Sequence, residues 1–206
     1  MTRRRRRTPF DPLRRRRRVR GFTFAGLALL ALSAVLDRAG AFRYDGDDWR
    51  NFNQKSFVVT HVADGDTLTV RPPAGGPETR VRLIGVDAPE LRSLDDASRS
   101  DHWAQDAKRY AERRAGRKTV TLRLERGQTR DKYRRLLAYV YVGDASNLNL
   151  DLVRDGQAYA DRRFKHSMRG PFERAEAEAR QARRGLWKDV SEALMPPWRR
   201  EWLGRN

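Results

Sequence analysis

The sequence predicts an α+β domain in which short β-strands come first and helices follow. Five segments have the apolar, β-branched composition of strands, one helical segment interrupts them, and two further helical segments come after them. The chain has 206 residues, of which 38% are hydrophobic, and this supports one modest core. We therefore expect a single folded domain with extensions.

The predicted elements are placed by composition, alternation and turn residues. The strands are predicted at residues 57–62, 68–71, 79–86, 119–124 and 137–142, and the helices at 101–114, around 148–154, and from Pro171 onward. The last helix carries apolar residues at three- and four-residue spacing, which predicts a stripe facing the core: Phe172, Ala175, Ala179, Ala182 and Leu186.

The third strand has arginines on one face. Val81 and Leu83 alternate with Arg80 and Arg82. Because successive side chains of a strand point to opposite faces, the apolar pair is expected in the core and both guanidinium groups on the other side.

The charge of the chain favours a polyanionic partner. The net charge is +18, of which the first 41 residues supply +10, from 12 arginines against two aspartates, and the remainder supplies +8. A domain that basic favours nucleic acid as the partner, with an anionic membrane surface as the second interpretation. The chain contains no cysteine, which excludes disulfides, thiolate nucleophiles and zinc–thiolate sites.

The amino-terminal segment has the layout of an export leader. Arginine blocks at 3–7 and 14–18 precede an uncharged stretch at 21–36, whose length lies between a signal-peptide core and a membrane-spanning helix of about 20 residues. The small residues at 39–41 predict cleavage after Ala41. Since the arginines would stay inside, either outcome puts the rest of the chain outside the cytoplasm, as a periplasmic or extracellular protein or one tethered to the inner membrane. The competing interpretation is an arginine-rich nucleic-acid-binding arm followed by a buried helix.

Two carboxylates, Asp64 and Asp66, flank Gly65 at the turn between the first two strands. Their repulsion would be relieved by a proton, a basic partner or a cation, although Asp-Gly is also a favoured hairpin turn. Two further carboxylates, Asp87 and Glu90, follow the third strand. The ligand spacing of a continuous calcium loop is missing, so any metal site must be assembled from separate segments.

Three motifs resemble the staphylococcal nuclease (thermonuclease) family in order and spacing. They are Asp-Gly-Asp-Thr at 64–67, Arg-Leu-Ile-Gly-Val-Asp-Ala-Pro-Glu at 82–90, and Asp-Lys-Tyr-Arg-Arg-Leu-Leu-Ala-Tyr-Val at 131–140. Weaker similarity extends the resemblance over residues 56–190. It implies a five-stranded OB-fold barrel with about three helices, which agrees with the elements predicted above.

The leader pattern and the resemblance together divide the chain into four parts. These are a basic leader or anchor at 1–41, a linker at 42–55, the nuclease-like domain at 56–190, and a tail at 191–206. Trp198 and Trp202 lie in the tail, and the sequence leaves open whether they pack on the barrel or contact a membrane.

The resemblance also implies a calcium site and a catalytic set. Asp66 and Asp87 would bind Ca²⁺ together with the backbone carbonyl of Ala88, because hard oxygen ligands suit that ion. Asp64 would be an outer carboxylate or a turn residue. Glu90 would orient or deprotonate the attacking water.

In the same resemblance Arg82 and Arg135 match the arginines that neutralise the phosphate, and Tyr133 matches a residue that binds substrate by contacting a phosphate or stacking near a base. Arg134 departs from the family, which commonly has glycine there. If that position needs a positive φ, arginine costs about 1 kcal/mol.

The leader pattern predicts an exported or membrane-tethered protein, and the family resemblance implies a calcium-dependent endonuclease that leaves 3′-phosphate ends. We expect it to hydrolyse DNA and RNA with low sequence specificity and to act as a monomer. Two alternatives remain: a non-catalytic OB-fold module that binds nucleic acid, and a membrane-tethered adaptor whose basic surface attracts anionic lipid.

Overall fold

The computed structural model describes residues 46–90 and 103–204, so the predicted leader and its cleavage site lie outside the described residues. The strands are β1 Lys55–Val62, β2 Thr67–Arg71, β3 Thr79–Leu83, β4 Val86–Asp87, β5 Thr119–Arg123, β6 Leu136–Val142, β7 Ser146–Asn147 and β8 Tyr159–Ala160. The helices are α1 Gly46–Phe52, α2 Ala104–Ala115, α3 Leu148–Arg154, α4 Arg169–Gln181 and α5 Pro197–Leu203.

Five strands form a closed barrel. The sheet order is β3-β2-β1-β5-β6-β7, and an additional pairing of β3 with β6 joins its two sides. Neighbouring strands are antiparallel except for the closing pair, which is parallel. The predicted α+β class and five-stranded OB-fold barrel are confirmed, and the strands begin and end within a few residues of the predicted positions.

The barrel core follows the alternation seen in the sequence. Val81 and Leu83 of β3 are fully buried, whereas Arg80, just before them, is exposed and Arg82, between them, is largely buried with its side chain 14% exposed. Burying apolar side chains contributes about 25 cal/mol per Å² of area removed from water, and this fixes the strand register. The two arginines therefore lie on the face that the sequence predicted.

Helix α4 begins at Arg169, two residues before the predicted Pro171. Its buried face contains most of the predicted stripe, but Ala182 is exposed because the helix ends at Gln181. Leu186 is buried as part of a following 3₁₀ helix, Gly185–Lys188, and not as the next turn of α4. The prediction for Ala182 was wrong, since the 3.6-residue pattern was carried past the end of the helix.

Helices α1 and α5 lie in the segments that the sequence analysis treated as a linker and a tail. Helix α1 is tied to the barrel by Asp48, which accepts hydrogen bonds from Thr129 at 2.8 Å and from Nε and Nη2 of Arg130 at 2.7 Å. Phe52 at its end stacks on Phe57 of β1, with ring centroids 5.4 Å apart.

Helix α5 is attached by a buried ion pair. Both terminal nitrogens of Arg199 donate to Glu176 of α4, at 2.8 and 2.9 Å, and the two side chains are 0% and 1% exposed. Glu176 also accepts from the backbone N–H of Ala160 and from Arg162. Within residues 46–90 and 103–204, no helix is both long and apolar enough to cross a bilayer.

The ion pair predicts how strongly α5 is held. We expect Glu176→Gln to lower the free energy of unfolding by about 3–5 kcal/mol, because it leaves the buried guanidinium of Arg199 without a carboxylate. Urea denaturation measures this value. Glu178→Gln, an exposed change on the same helix, is the matched control and should stay within about 0.5 kcal/mol of wild type. Equal effects of the two changes would contradict a stabilising role for the pair.

Candidate active site

The turn between β1 and β2 is shaped by close packing. The Oδ1 atom of Asp64 accepts the backbone N–H of Asp66 at 2.9 Å, which makes Asp64 a turn residue. A Cβ atom at Gly65 would lie 2.6 Å from the Cβ of Ala88 and 2.7 Å from that of Ala107, so only glycine fits there. Burial raises the pKa of Asp64, and Arg82 partly opposes this shift.

Asp66 joins the turn to the end of β4. Its Oδ2 atom accepts the backbone N–H of Ala88 at 2.9 Å, and its Oδ1 atom accepts the hydroxyl of Thr67 at 3.1 Å. Asp66 is 3% exposed and Asp87 is 9% exposed. Two separate strand ends therefore place two buried carboxylates side by side.

Arg82 contacts both carboxylates. One terminal nitrogen forms an ion pair with Oδ2 of Asp66, and the other donates to Oδ1 of Asp87 at 3.2 Å. The register of β2 with β3 sets this arrangement, because Thr67 pairs with Arg82 across the two strands. Burial lowers the pKa of Arg82, and the nearby guanidinium of Arg135 lowers it further.

Arg135 reaches the same place from the start of β6. Its Nη1 atom donates to the hydroxyl of Thr67 at 3.3 Å, and its Nε atom donates to Asp131 at 2.7 Å. The parallel pairing of β3 with β6 brings it there, since Val81 lies opposite Leu136, the residue after Arg135. A short chain of polar contacts thus connects the two predicted phosphate-binding arginines with Asp66.

Tyr133 stands at the rim of the site. Its side chain is 66% exposed, and the guanidinium carbon of Arg135 lies 5.4 Å from its ring centroid. Arg134 has a φ of 68°, so the residue that departs from the family does occupy a left-handed position. Its side chain is exposed, and its carbonyl accepts a hydrogen bond from Arg130 at 2.9 Å.

Glu90 lies at the end of the segment that carries Asp87 and Ala88, and its side chain is exposed. A small cleft runs beside these residues, lined also by Pro89, Trp103, Tyr159, Val190, Leu194 and Pro196. Six of the predicted site residues are linked by contacts, directly or through Thr67: Asp66, Arg82, Asp87, Ala88, Tyr133 and Arg135. Glu90 lies two residues after Ala88, at the cleft.

The sequence analysis did not assign three residues to the site: two of them contact Asp87, and the third holds one of those two. The Nη2 atom of Arg163 donates to Oδ1 of Asp87 at 2.7 Å, and the indole Nε1 of Trp198 donates to Oδ2 at 2.8 Å. Asp161 holds Arg163 through both carboxylate oxygens at 2.9 Å. Burial alone would lower the pKa of Arg163, but Asp161 and Asp87 outweigh burial, and the pKa is raised. No motif identifies these three residues, because they follow β8 or lie in α5.

The oxygen donors fit a hard cation in their chemistry. Asp66 and Asp87 offer carboxylate oxygens close enough to share one guanidinium, and such oxygens are the ligands that Ca²⁺ prefers. Within residues 46–90 and 103–204, no group of three or more acidic or histidine side chains could enclose a metal ion. Two carboxylates supplemented by backbone and water oxygens are consistent with that finding.

Comparisons with known proteins agree with this barrel and site. Residues 80–189 match the family model described as "Staphylococcal nuclease homologue". The chain is 35% identical over 140 residues to an uncharacterized endonuclease of Escherichia coli O157:H7, covering 68% of this chain and 80% of that one. It is 30% identical over 172 residues to a thermonuclease of Staphylococcus intermedius, covering 79% of this chain and 96% of that one.

An OB-fold barrel with convergent carboxylates and arginines at one end defines a nuclease-type domain. This chain belongs to the staphylococcal nuclease family. Both the family resemblance and the predicted enzyme class, a hydrolase of the endonuclease type, are confirmed.

The left-handed backbone at Arg134 predicts a stabilising substitution. We expect Arg134→Gly to raise the free energy of unfolding by about 0.5–1 kcal/mol, because the relief of steric strain exceeds the added entropy of the unfolded chain. Lys132→Gly, an exposed change two residues earlier, should lower it by a similar amount. Denaturant titration of both variants measures the two changes in the free energy of unfolding. A loss of stability in both variants would show that the backbone at position 134 is unstrained.

Proposed function

We propose that the protein is a calcium-dependent nuclease that cleaves DNA and RNA with little sequence preference and leaves 3′-phosphate ends. The observation that carries this proposal is the convergence of Asp66, Asp87, Arg82 and Arg135 at one end of the barrel. The named activities of relatives, an endonuclease and thermonucleases, agree with it.

Charge is the main obstacle to phosphodiester hydrolysis. The phosphate is already negative, it repels an incoming hydroxide, and its negative charge grows as the nucleophile attacks. Arg82 and Arg135 offer planar, permanently charged donors suited to phosphate oxygens. Because Arg82 is largely buried, its field is screened less than that of a surface arginine.

The cation would be held by Asp66, Asp87 and the carbonyl of Ala88. When bound, Ca²⁺ supplies positive charge that polarises the phosphate and offsets the developing charge. The backbone N–H of Ala88 and the hydroxyl of Thr67 fix the Asp66 carboxylate.

Glu90 is proposed as the group that orients or deprotonates the attacking water. Its exposed side chain lies beside the cleft next to Asp87, which gives water access to it. In the proposed reaction, the water oxygen forms a bond to phosphorus and the bond from phosphorus to the 5′-oxygen breaks. The departing oxygen takes up a proton, and the phosphate stays on the 3′ side.

Low sequence preference follows from how the substrate would be held. Tyr133 presents an exposed ring on which any base can stack, and the surrounding arginines contact the charged backbone. The part of the chain after residue 41 carries +8, so binding should weaken steeply with salt. We infer that both DNA and RNA are substrates and that the enzyme acts as a monomer.

We further propose that residues 1–41 direct the domain out of the cytoplasm. This proposal is supported by the sequence pattern, in which arginines precede an apolar stretch that is followed by small residues. Mass spectrometry of the protein made in a bacterial host tests this. A mature protein that begins at Phe42 indicates an exported enzyme, and a full-length protein in the membrane fraction indicates a tether. A full-length protein in the soluble cytoplasmic fraction would contradict both.

The catalytic proposal is tested by digestion of single-stranded DNA with added Ca²⁺ and with a chelator. We expect cleavage with Ca²⁺, none in chelator, and 3′-phosphate product ends. Arg82→Ala, Arg135→Ala and Glu90→Gln should each lower kcat by about 100-fold or more, because each removes charge or proton handling from the transition state. Tyr133→Ala should raise KM more than it lowers kcat.

Arg80→Ala is the matched control. Arg80 lies on the same strand as Arg82, two residues earlier, with an exposed side chain, so its loss should change kcat by no more than a few-fold. A wild-type protein that binds DNA but cleaves nothing across cations and pH would favour the non-catalytic module. If the Arg82 and Arg135 variants cleave DNA at the wild-type rate, the reaction takes place at another site and the proposal is wrong.

A further inference from the structure

The segment after residue 189 lies beyond the part of the chain that matches the family model, and yet it reaches the site. Trp198 of α5 donates its indole N–H to Oδ2 of Asp87 at 2.8 Å. The two residues are 111 positions apart in the chain. This contact therefore joins an element outside the family domain to a proposed cation ligand.

The two oxygens of Asp87 have different partners. Oδ1 accepts from Arg82 at 3.2 Å and from Arg163 at 2.7 Å, both of which are charged. Oδ2 accepts from Trp198, an uncharged donor. A neutral N–H fixes the direction of a carboxylate without cancelling its charge, so it orients the group and leaves its attraction for a cation intact.

Trp198 also supports the arginine next to it. The guanidinium carbon of Arg163 lies 4.9 Å from the Trp198 ring centroid, and Asp161 holds the same guanidinium by two hydrogen bonds. A cation over an aromatic face is attracted by the ring quadrupole. The indole ring and the Asp161 carboxylate therefore fix Arg163 against Asp87.

The position of Trp198 is itself fixed. The next residue, Arg199, is fully buried and paired with Glu176, so α5 is attached to α4 by an interior ion pair. The residues before α5 contribute to the cleft: Val190, Leu194 and Pro196 line it together with Asp87 and Glu90. Two independent contacts thus bring the carboxy-terminal segment to the site.

We propose that Trp198 is a positioning residue for Asp87, and that residues 190–204 are part of the active site. The indole N–H holds the Asp87 carboxylate in the orientation that binds the cation. This inference rests on the proposed calcium-dependent function and adds to it a residue beyond the carboxy-terminal end of the family-model match.

Calcium affinity tests the inference directly. Calorimetric titration of the purified full-length chain with Ca²⁺ alone should show about tenfold weaker binding in Trp198→Phe, because removing an outer hydrogen-bond partner of a ligand typically costs 10- to 100-fold in affinity. The smaller phenyl ring keeps an aromatic surface for Arg163 but has no N–H donor for Asp87. The KM for DNA should change less than the calcium dissociation constant.

Trp187→Phe is the matched control. Trp187 is also packed in the cluster beneath α5, but its buried indole nitrogen has no hydrogen-bond partner within the described residues. The same change of ring there should leave the calcium dissociation constant unchanged, even where it lowers the melting temperature. Equal losses of calcium affinity in the two variants would assign the effect to general destabilisation and overturn the inference.

Two further results separate this inference from the proposed function. Wild-type calcium affinity in Trp198→Phe overturns the role of Trp198 even if the enzyme cleaves DNA as proposed. A wild-type chain that binds calcium and cleaves nothing overturns the proposed function, while weaker calcium binding by Trp198→Phe would still support the positioning role.

Discussion

The site depends on one arrangement of charges, in which the guanidinium of Arg82 lies between the carboxylates of Asp66 and Asp87. Two buried carboxylates of the same sign would repel each other strongly, so they remain together only where cations compensate them. The backbone N–H of Ala88 and the indole of Trp198 then fix how the two groups are turned. The neighbouring strands and helices hold these donors in place.

Closure of the barrel brings the second arginine, Arg135, to the site. Strands β2 and β3 are neighbours in sequence, and their antiparallel register accounts for Asp66 and Arg82. Arg135 arrives only through the parallel pairing of β3 with β6, which joins strands more than 50 residues apart. A pairing over that sequence distance carries a large entropy cost of loop closure, and the apolar core must offset it. The phosphate-binding pair is therefore a consequence of the closed sheet.

Local patterns predicted the barrel well, because each strand carries its own alternation and its own turn. Gly65 was seen as part of an Asp-Gly-Asp turn, but its reason, the absence of room for a Cβ beside Ala88 and Ala107, depends on packing from two distant segments. The sequence analysis named a positive φ at Arg134 only as something the position would require if the family's glycine needs it, and the structure has that positive φ. The residues matched by family motifs were found together, whereas Arg163 and Trp198 were missed.

The missed elements share a physical cause. Helices α1 and α5 are seven residues long, and helices of that length are not stable by local propensity. Each is held by a long-range charge pair: Asp48 with Arg130, and Arg199 with Glu176. In the sequence those charges are indistinguishable from solvated surface residues, in a chain where 35% of residues are charged. Only the folded barrel brings the partners together, and it thereby adds a carboxy-terminal helix to a site whose predicted members lie in the family motifs.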